Sequence, residues 1–63
     1  MSKQPIEDRL KEHRYRRGWN QLQLGLATGL SLATIKRAEA GVPLRAATLY
    51  RLEQFLKKEA TAA

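Results

Sequence analysis

The chain has no cysteine among its 63 residues, so no disulfide can staple it and no thiolate can hold a metal. A single histidine, His13, leaves a zinc site without its ligand set. No apolar run approaches the ~20 residues needed to span a bilayer. The segment from Met1 to Asp8 lacks the apolar centre of a signal peptide. The chain is therefore read as cytoplasmic and reduced. No internal repeat or low-complexity tract is present. No glycine-rich phosphate loop follows a strand-like run. The two serines, Ser2 and Ser31, have no evident histidine or aspartate partner in sequence. Nothing here supports an enzyme, and no catalytic residue, cofactor or metal is implied.

Acidic residues are also few. Twelve Lys and Arg face six Asp and Glu, giving a net charge of +6 and a pI near 10.4. That imbalance points to an anionic partner, nucleic acid before an anionic membrane surface. A chain this short is one domain and buries only about 60% of the surface its unfolded form exposes. Its 43% hydrophobic content suffices for one core.

Local signals divide the chain into four helices. Met1 to Gln4 reads as a loose tail. Pro5 suits the start of a helix, and Glu7 and Asp8 suit its positive end. Arg14, Arg16 and Arg17 fall at the other end, and Gly18 stops it. The first helix is thus Ile6 to Arg17. Its inward positions, Ile6, Leu10, Arg14 and Arg17, are poor in apolar residues, so Arg14 needs a reason to be there. Asn20 with Gln23 forms a variant of the capping box. The following Leu22, Leu24 and Leu26 alternate as a strand would, yet pair equally well at helical spacing. Leucine and alanine favour helix, and the second helix is placed at Gln21 to Thr28, ending at Gly29. Ser31 caps a third helix, Leu32 to Ala40, closed by Gly41 and Pro43. The three-residue connection Gly29-Leu30-Ser31 forces the two short helices to cross steeply, as in a helix-turn-helix. A fourth helix runs from about Arg45 to Lys58, with Ala46, Leu49, Leu52, Phe55 and Leu56 on one stripe. Glu59 to Ala63 reads as a frayed end. The domain spans 1–63, with its core at about 6–58.

The stretch from Leu10 to Leu56, and above all NQLQLGLATGLSLATIKRAEAG from Asn20 to Gly41, resembles the phage repressor and Cro family of helix-turn-helix DNA-binding domains. Gln21 opens the second helix as in that pattern. Leu24 is its apolar residue, Gly25 its small residue at the helix crossing, and Gly29 its turn glycine. Leu30, Ser31, Ile35 and Ala38 continue the match, as does Glu39 before Ala40-Gly41. Arg14, four residues before Gly18, fits the first-helix arginine. The resemblance implies an all-α, compact four-helix domain of lambda-repressor-like type. It also implies an Arg14–Glu39 ion pair joining the first and third helices. Thr28 departs from the pattern, which prefers an apolar residue there. The loop from Gly41 to Thr48 is slightly short. The fifth helix common among relatives, often used for dimerisation, is expected to be missing here.

With Ile35 and Ala38 inward, Ala33 and Arg37 point outward, Ala40 lies close by, and Leu32, Lys36 and Thr34 flank them. In the major groove, Arg37 suits a guanine edge, or else a phosphate. Leu32, Ala33 and the Thr34 methyl suit thymine methyls. Asn20 and Gln21 at the start of the second helix, with Ser31, Lys36 and Arg45, suit phosphates. Ser31 is explained by capping alone. Arg16 and Arg17 read as a solvated helix end. Trp19 reads as core, His13 as a surface or half-buried helix residue, and Tyr15 and Tyr50 as partly exposed. Leu22 and Leu26 share an outward face where relatives carry polar residues, and are a candidate contact for a protein partner. The leading reading is a sequence-specific DNA-binding regulator, a repressor, acting on double-stranded DNA as a homodimer. The alternatives are a protein-interaction module of antitoxin or adaptor type on the same fold, and an architectural binder without sequence choice.

Overall fold

In the computed structural model, which describes residues 4–61, the chain folds as α1 (Ile6–Arg17), α2 (Gln21–Thr28), α3 (Leu32–Glu39) and α4 (Ala46–Thr61). The tail read at Met1 to Lys3 and the end at Ala62 and Ala63 lie outside the described residues.

Local chemistry accounts for the boundaries of the first three helices. Pro5 precedes α1 at φ −58°. Glu7 and Asp8 occupy its first turn and Arg14, Arg16 and Arg17 its last. At Gly18 the Gly18 N–H donates to the Tyr15 carbonyl and the Trp19 N–H to that of Arg14, the paired closure of a Schellman end. The helical reading of the Leu22–Leu26 stretch holds. The Asn20 carboxamide accepts from the Gln23 N–H at 2.8 Å, and the Gln23 side chain accepts from the Asn20 N–H at 2.8 Å. Gly29 ends α2 at φ +76°, a backbone geometry that costs a side-chain-bearing residue energy and glycine little.

The third helix stops one residue earlier than its sequence pattern suggests. Ala40 sits at the C-cap, with its N–H shared between the Lys36 and Arg37 carbonyls. The Gly41 and Val42 N–H groups then reach back to Ala38 and Arg37. These reversed bonds consume the carbonyls that a longer helix would use. The fourth helix differs at both ends. It begins at Ala46 and continues through Glu59 to Thr61, so the frayed end expected from Glu59 is helical through Thr61. The cause is long-range. Glu59 bonds Arg17 of α1 and lies 3.4 Å from Nε2 of His13.

One aliphatic side chain from each helix is fully buried: Leu10, Leu24, Ile35 and Leu52. Ala38 and Leu56 complete this centre, and Ile6, Trp19, Leu30, Leu44 and Phe55 pack around it. The α4 stripe is buried only in part. Ala46 and Leu49, expected inward, are exposed. His13 is half-buried, edge-on to both Trp19 and Phe55. The departure at Thr28 has a local explanation. Its buried hydroxyl donates to the Leu24 and Gly25 carbonyls at 3.0 and 3.1 Å, so the polar atom is satisfied within its own helix. At Gly25 a Cβ would lie 2.9 Å from the Leu30 carbonyl oxygen. The α2–α3 crossing therefore needs a residue with no side chain.

Candidate nucleic-acid interface

The orientation of α3 follows from what it buries. Ile35, Ala38 and Glu39 face inward. Ala33, Lys36, Arg37 and Ala40 are exposed, while Leu32 and Thr34 are half-buried on the flanks. Ser31 caps the helix by accepting from the Thr34 N–H at 3.2 Å, and its hydroxyl lies 2.9 Å from that of Thr34. The exposed strip is thus small and apolar at its start and cationic one turn later.

A buried carboxylate anchors this helix. Glu39 receives Arg14 Nε and Nη2 at 2.8 Å each, a two-pronged pair. The Gln21 amide donates to Glu39 Oε1 at 3.2 Å, and Arg14 Nη1 reaches the Trp19 carbonyl at 3.5 Å. Three elements, the ends of α1 and α3 and the start of α2, therefore converge on one carboxylate whose side chain is only 3% exposed. The Arg14 guanidinium is held above its ordinary value, chiefly by the hydrogen bond it donates to Glu39; burial opposes this. Sequence reasoning assigned Gln21 to a phosphate and missed its bond to Glu39. Nothing in local spacing signals that bond, since its partner lies 18 residues away.

Around α3, Thr34 and Arg37 share a depression of about 450 Å³ with Val42, Pro43, Leu44, Arg45 and Thr48. The structure thus brings Arg37 and Arg45 to one concavity beside the exposed helix. Asn20 and Ser31 are exposed at the starts of α2 and α3, each occupied in capping its helix.

Ion pairing sorts the remaining charge. On α1, Arg9 pairs with Glu53, Arg14 with Glu39, Arg16 with Glu12 and Arg17 with Glu59. A larger groove of about 980 Å³ between α1 and α4 is rimmed by Arg9, Arg16 and Arg17 against Glu12, Glu53 and Glu59. Its three cations and three anions cancel, so it offers no field to an anion. Arg37, Lys36, Arg45 and Arg51 have no acidic partner among the described residues. Sequence reasoning also missed Arg51, whose guanidinium would lie 3.2 Å from a Cβ placed on Gly29 in the α2–α3 turn. Of these cations, Lys36 and Arg37 lie on α3, Arg45 in the loop after it and Arg51 on α4, while Lys11 of α1 also has no acidic partner among the described residues. A surface of this kind attracts a polyanion, and the exposed helix has the dimensions to enter a major groove.

Among the described residues, no helix is long and apolar enough to cross a membrane, and no group of three acidic, histidine or cysteine side chains could hold a metal. A family model described as helix-turn-helix matches residues 10–61, well over half of the chain. No curated protein and no solved structure matches it.

Proposed function

The chain belongs to the helix-turn-helix family of the Cro/C1 (XRE-like) type, a family of DNA-binding regulatory domains, and from that premise we propose that it is a sequence-specific repressor of transcription. The helix placed in the major groove is α3. Arg37 donates to a guanine edge through two N–H groups, a contact worth about 1–3 kcal/mol of discrimination. Ala33 and the half-buried Leu32 and Thr34 pack on thymine methyls. Lys36 and Arg45 take phosphates, as do Asn20, Gln21 and Ser31 at the starts of α2 and α3. The action is binding alone. Occupying a stretch of major groove excludes other proteins from it, which is repression by occlusion. Such a role places the chain at the nucleoid.

The observation that carries this reading is the distribution of unpaired charge. The arginines of α1 are held by carboxylates, while Lys36, Arg37 and Arg45 are not. An eight-residue α3 spans few base pairs. Two copies on half-sites about one helical turn apart supply the affinity a regulator needs. The test is an anisotropy titration of a labelled duplex across a salt series. Each phosphate neutralised contributes about −0.9 to the slope of log K against log salt. With Lys36 and Arg45 on phosphates in each copy, the expected slope is about −1.8 for one copy and twice that for two. A slope near zero would remove the DNA reading. The exposed Leu22 and Leu26 favour a protein contact in addition, not in place of DNA.

A further inference from the structure

Residues 18–35 contain no charged side chain, although 29% of the whole chain is charged. The run includes all of α2, the one described helix without a charge. Inward, α2 presents Leu24, Gly25 and Thr28 to the core. Outward, it presents Leu22 at 52% exposure and Leu26 at 75%, with Gln23 and Ala27 also exposed. The leucines are four residues apart and so stack on one helix face. No described side chain covers them.

We propose that this α2 face is the surface through which two copies of the chain touch. The charge distribution selects the occupant. A chain of net charge +6 repels its own copies. Of the four helices, α1, α3 and α4 each present lysine or arginine to any copy that approaches them. At α2 two copies meet leucine to leucine without apposing like charges. A face related to itself by a two-fold axis sets the Leu22 end of one helix against the Leu26 end of the other, so both leucines of each copy are covered. An acidic or polyanionic partner gains nothing from this face and everything from the others.

The area sets the strength. Two leucines at these exposures offer on the order of 200 Å² of apolar surface, about a quarter of the ~800 Å² per partner in a stable interface. The contact is therefore weak, with a dissociation constant of about 1 mM. It fills when two copies are already held side by side, where the effective concentration is itself about millimolar. Its use on DNA rests on the proposed function, but the contact itself is tested without DNA, so the two can fail separately.

The experiment is a ¹⁵N–¹H spectrum of the full chain recorded from about 0.05 to 1 mM, at low and raised salt. The expected result is movement of the Leu22, Gln23, Leu26 and Ala27 amide signals with concentration. Raised salt strengthens it by screening the repulsion between copies. The variant Leu22→Gln/Leu26→Gln keeps the rest of the spectrum and loses the movement. Both side chains are exposed and the substitutions are neutral, so binding to a single duplex site stays unchanged. Should the double variant lose its fold, Leu26→Gln alone serves, since Leu26 is the more exposed. A spectrum that does not change up to about 1 mM overturns the proposal. So does movement confined to α1 or α4, weakening with salt, or persistence in the variant.

Discussion

Removing one member of the Arg14–Glu39 pair is the sharpest test of how α3 is held. Arg14 donates two hydrogen bonds of 2.8 Å, from Nε and Nη2, to the Glu39 carboxylate, with side chains 13% and 3% exposed. Stripping one charge from a buried pair costs about 3–5 kcal/mol, because the other is left uncompensated. The two deletions are unequal. In Arg14→Ala the Glu39 carboxylate keeps only the Gln21 amide at 3.2 Å. In Glu39→Ala the Arg14 guanidinium still reaches the Trp19 carbonyl and some solvent. Arg14→Ala is therefore expected to lose more, toward the upper end of that range. A domain of 63 residues has a total stability of about 3–9 kcal/mol, so either variant sits near its unfolding limit. The assay is urea unfolding followed by circular dichroism at low temperature, for wild type, both single variants and the double variant. The double variant should cost little more than Arg14→Ala, giving a coupling of about 2–3 kcal/mol. Replacing both by apolar residues, Arg14→Met with Glu39→Leu, should recover most of the loss. Two small losses, each below about 1 kcal/mol and additive, would refute the idea that this pair anchors α3.

Four further substitutions have defined expected outcomes. Gly25→Ala gains about 1 kcal/mol of helix propensity but drives a Cβ to 2.9 Å from the Leu30 carbonyl; thermal melts should show a net loss of about 1 kcal/mol. Thr28→Val removes a hydroxyl bonded only to carbonyls of its own helix, and unfolding midpoints should stay within about 0.5 kcal/mol of wild type or rise. On a bound duplex, Arg45→Ala should weaken all sequences alike and lower the salt slope by about 0.9. Arg37→Ala should instead relax preference at one base pair, as read by titrating a set of single-position duplex variants.

The parts of the fold legible in the sequence are those set by neighbours in the chain. Asn20 with Gln23, Ser31 with Thr34, and the glycines at 18 and 29 act within a few residues, so the limits of α1 and α2 and the start of α3 could be read directly. The end of α4 could not. It depends on Glu59 meeting Arg17, 42 residues earlier. Arg14 and Glu39 are 25 residues apart, and their meeting was suggested by family resemblance, not by spacing. The α3 face was legible because helical periodicity needs only Ile35 and Ala38 as inward markers. Which cations stay unpaired was not legible. Position relative to the helices sets Arg16 and Arg17 apart from Arg37 and Arg45, but that the first two are paired shows only when the carboxylates of Glu12 and Glu59 are placed beside them.

The central claim is that α3 reads base sequence. It is met most directly by selecting bound sites from a pool of randomised duplexes at near-physiological salt, where non-specific binding is already weak. The account predicts an enriched site with a guanine at the position contacted by Arg37, repeated as an inverted half-site about 10 base pairs away. Salt-sensitive binding with no enriched sequence would contradict it, leaving the cationic face as a binder of DNA that reads nothing.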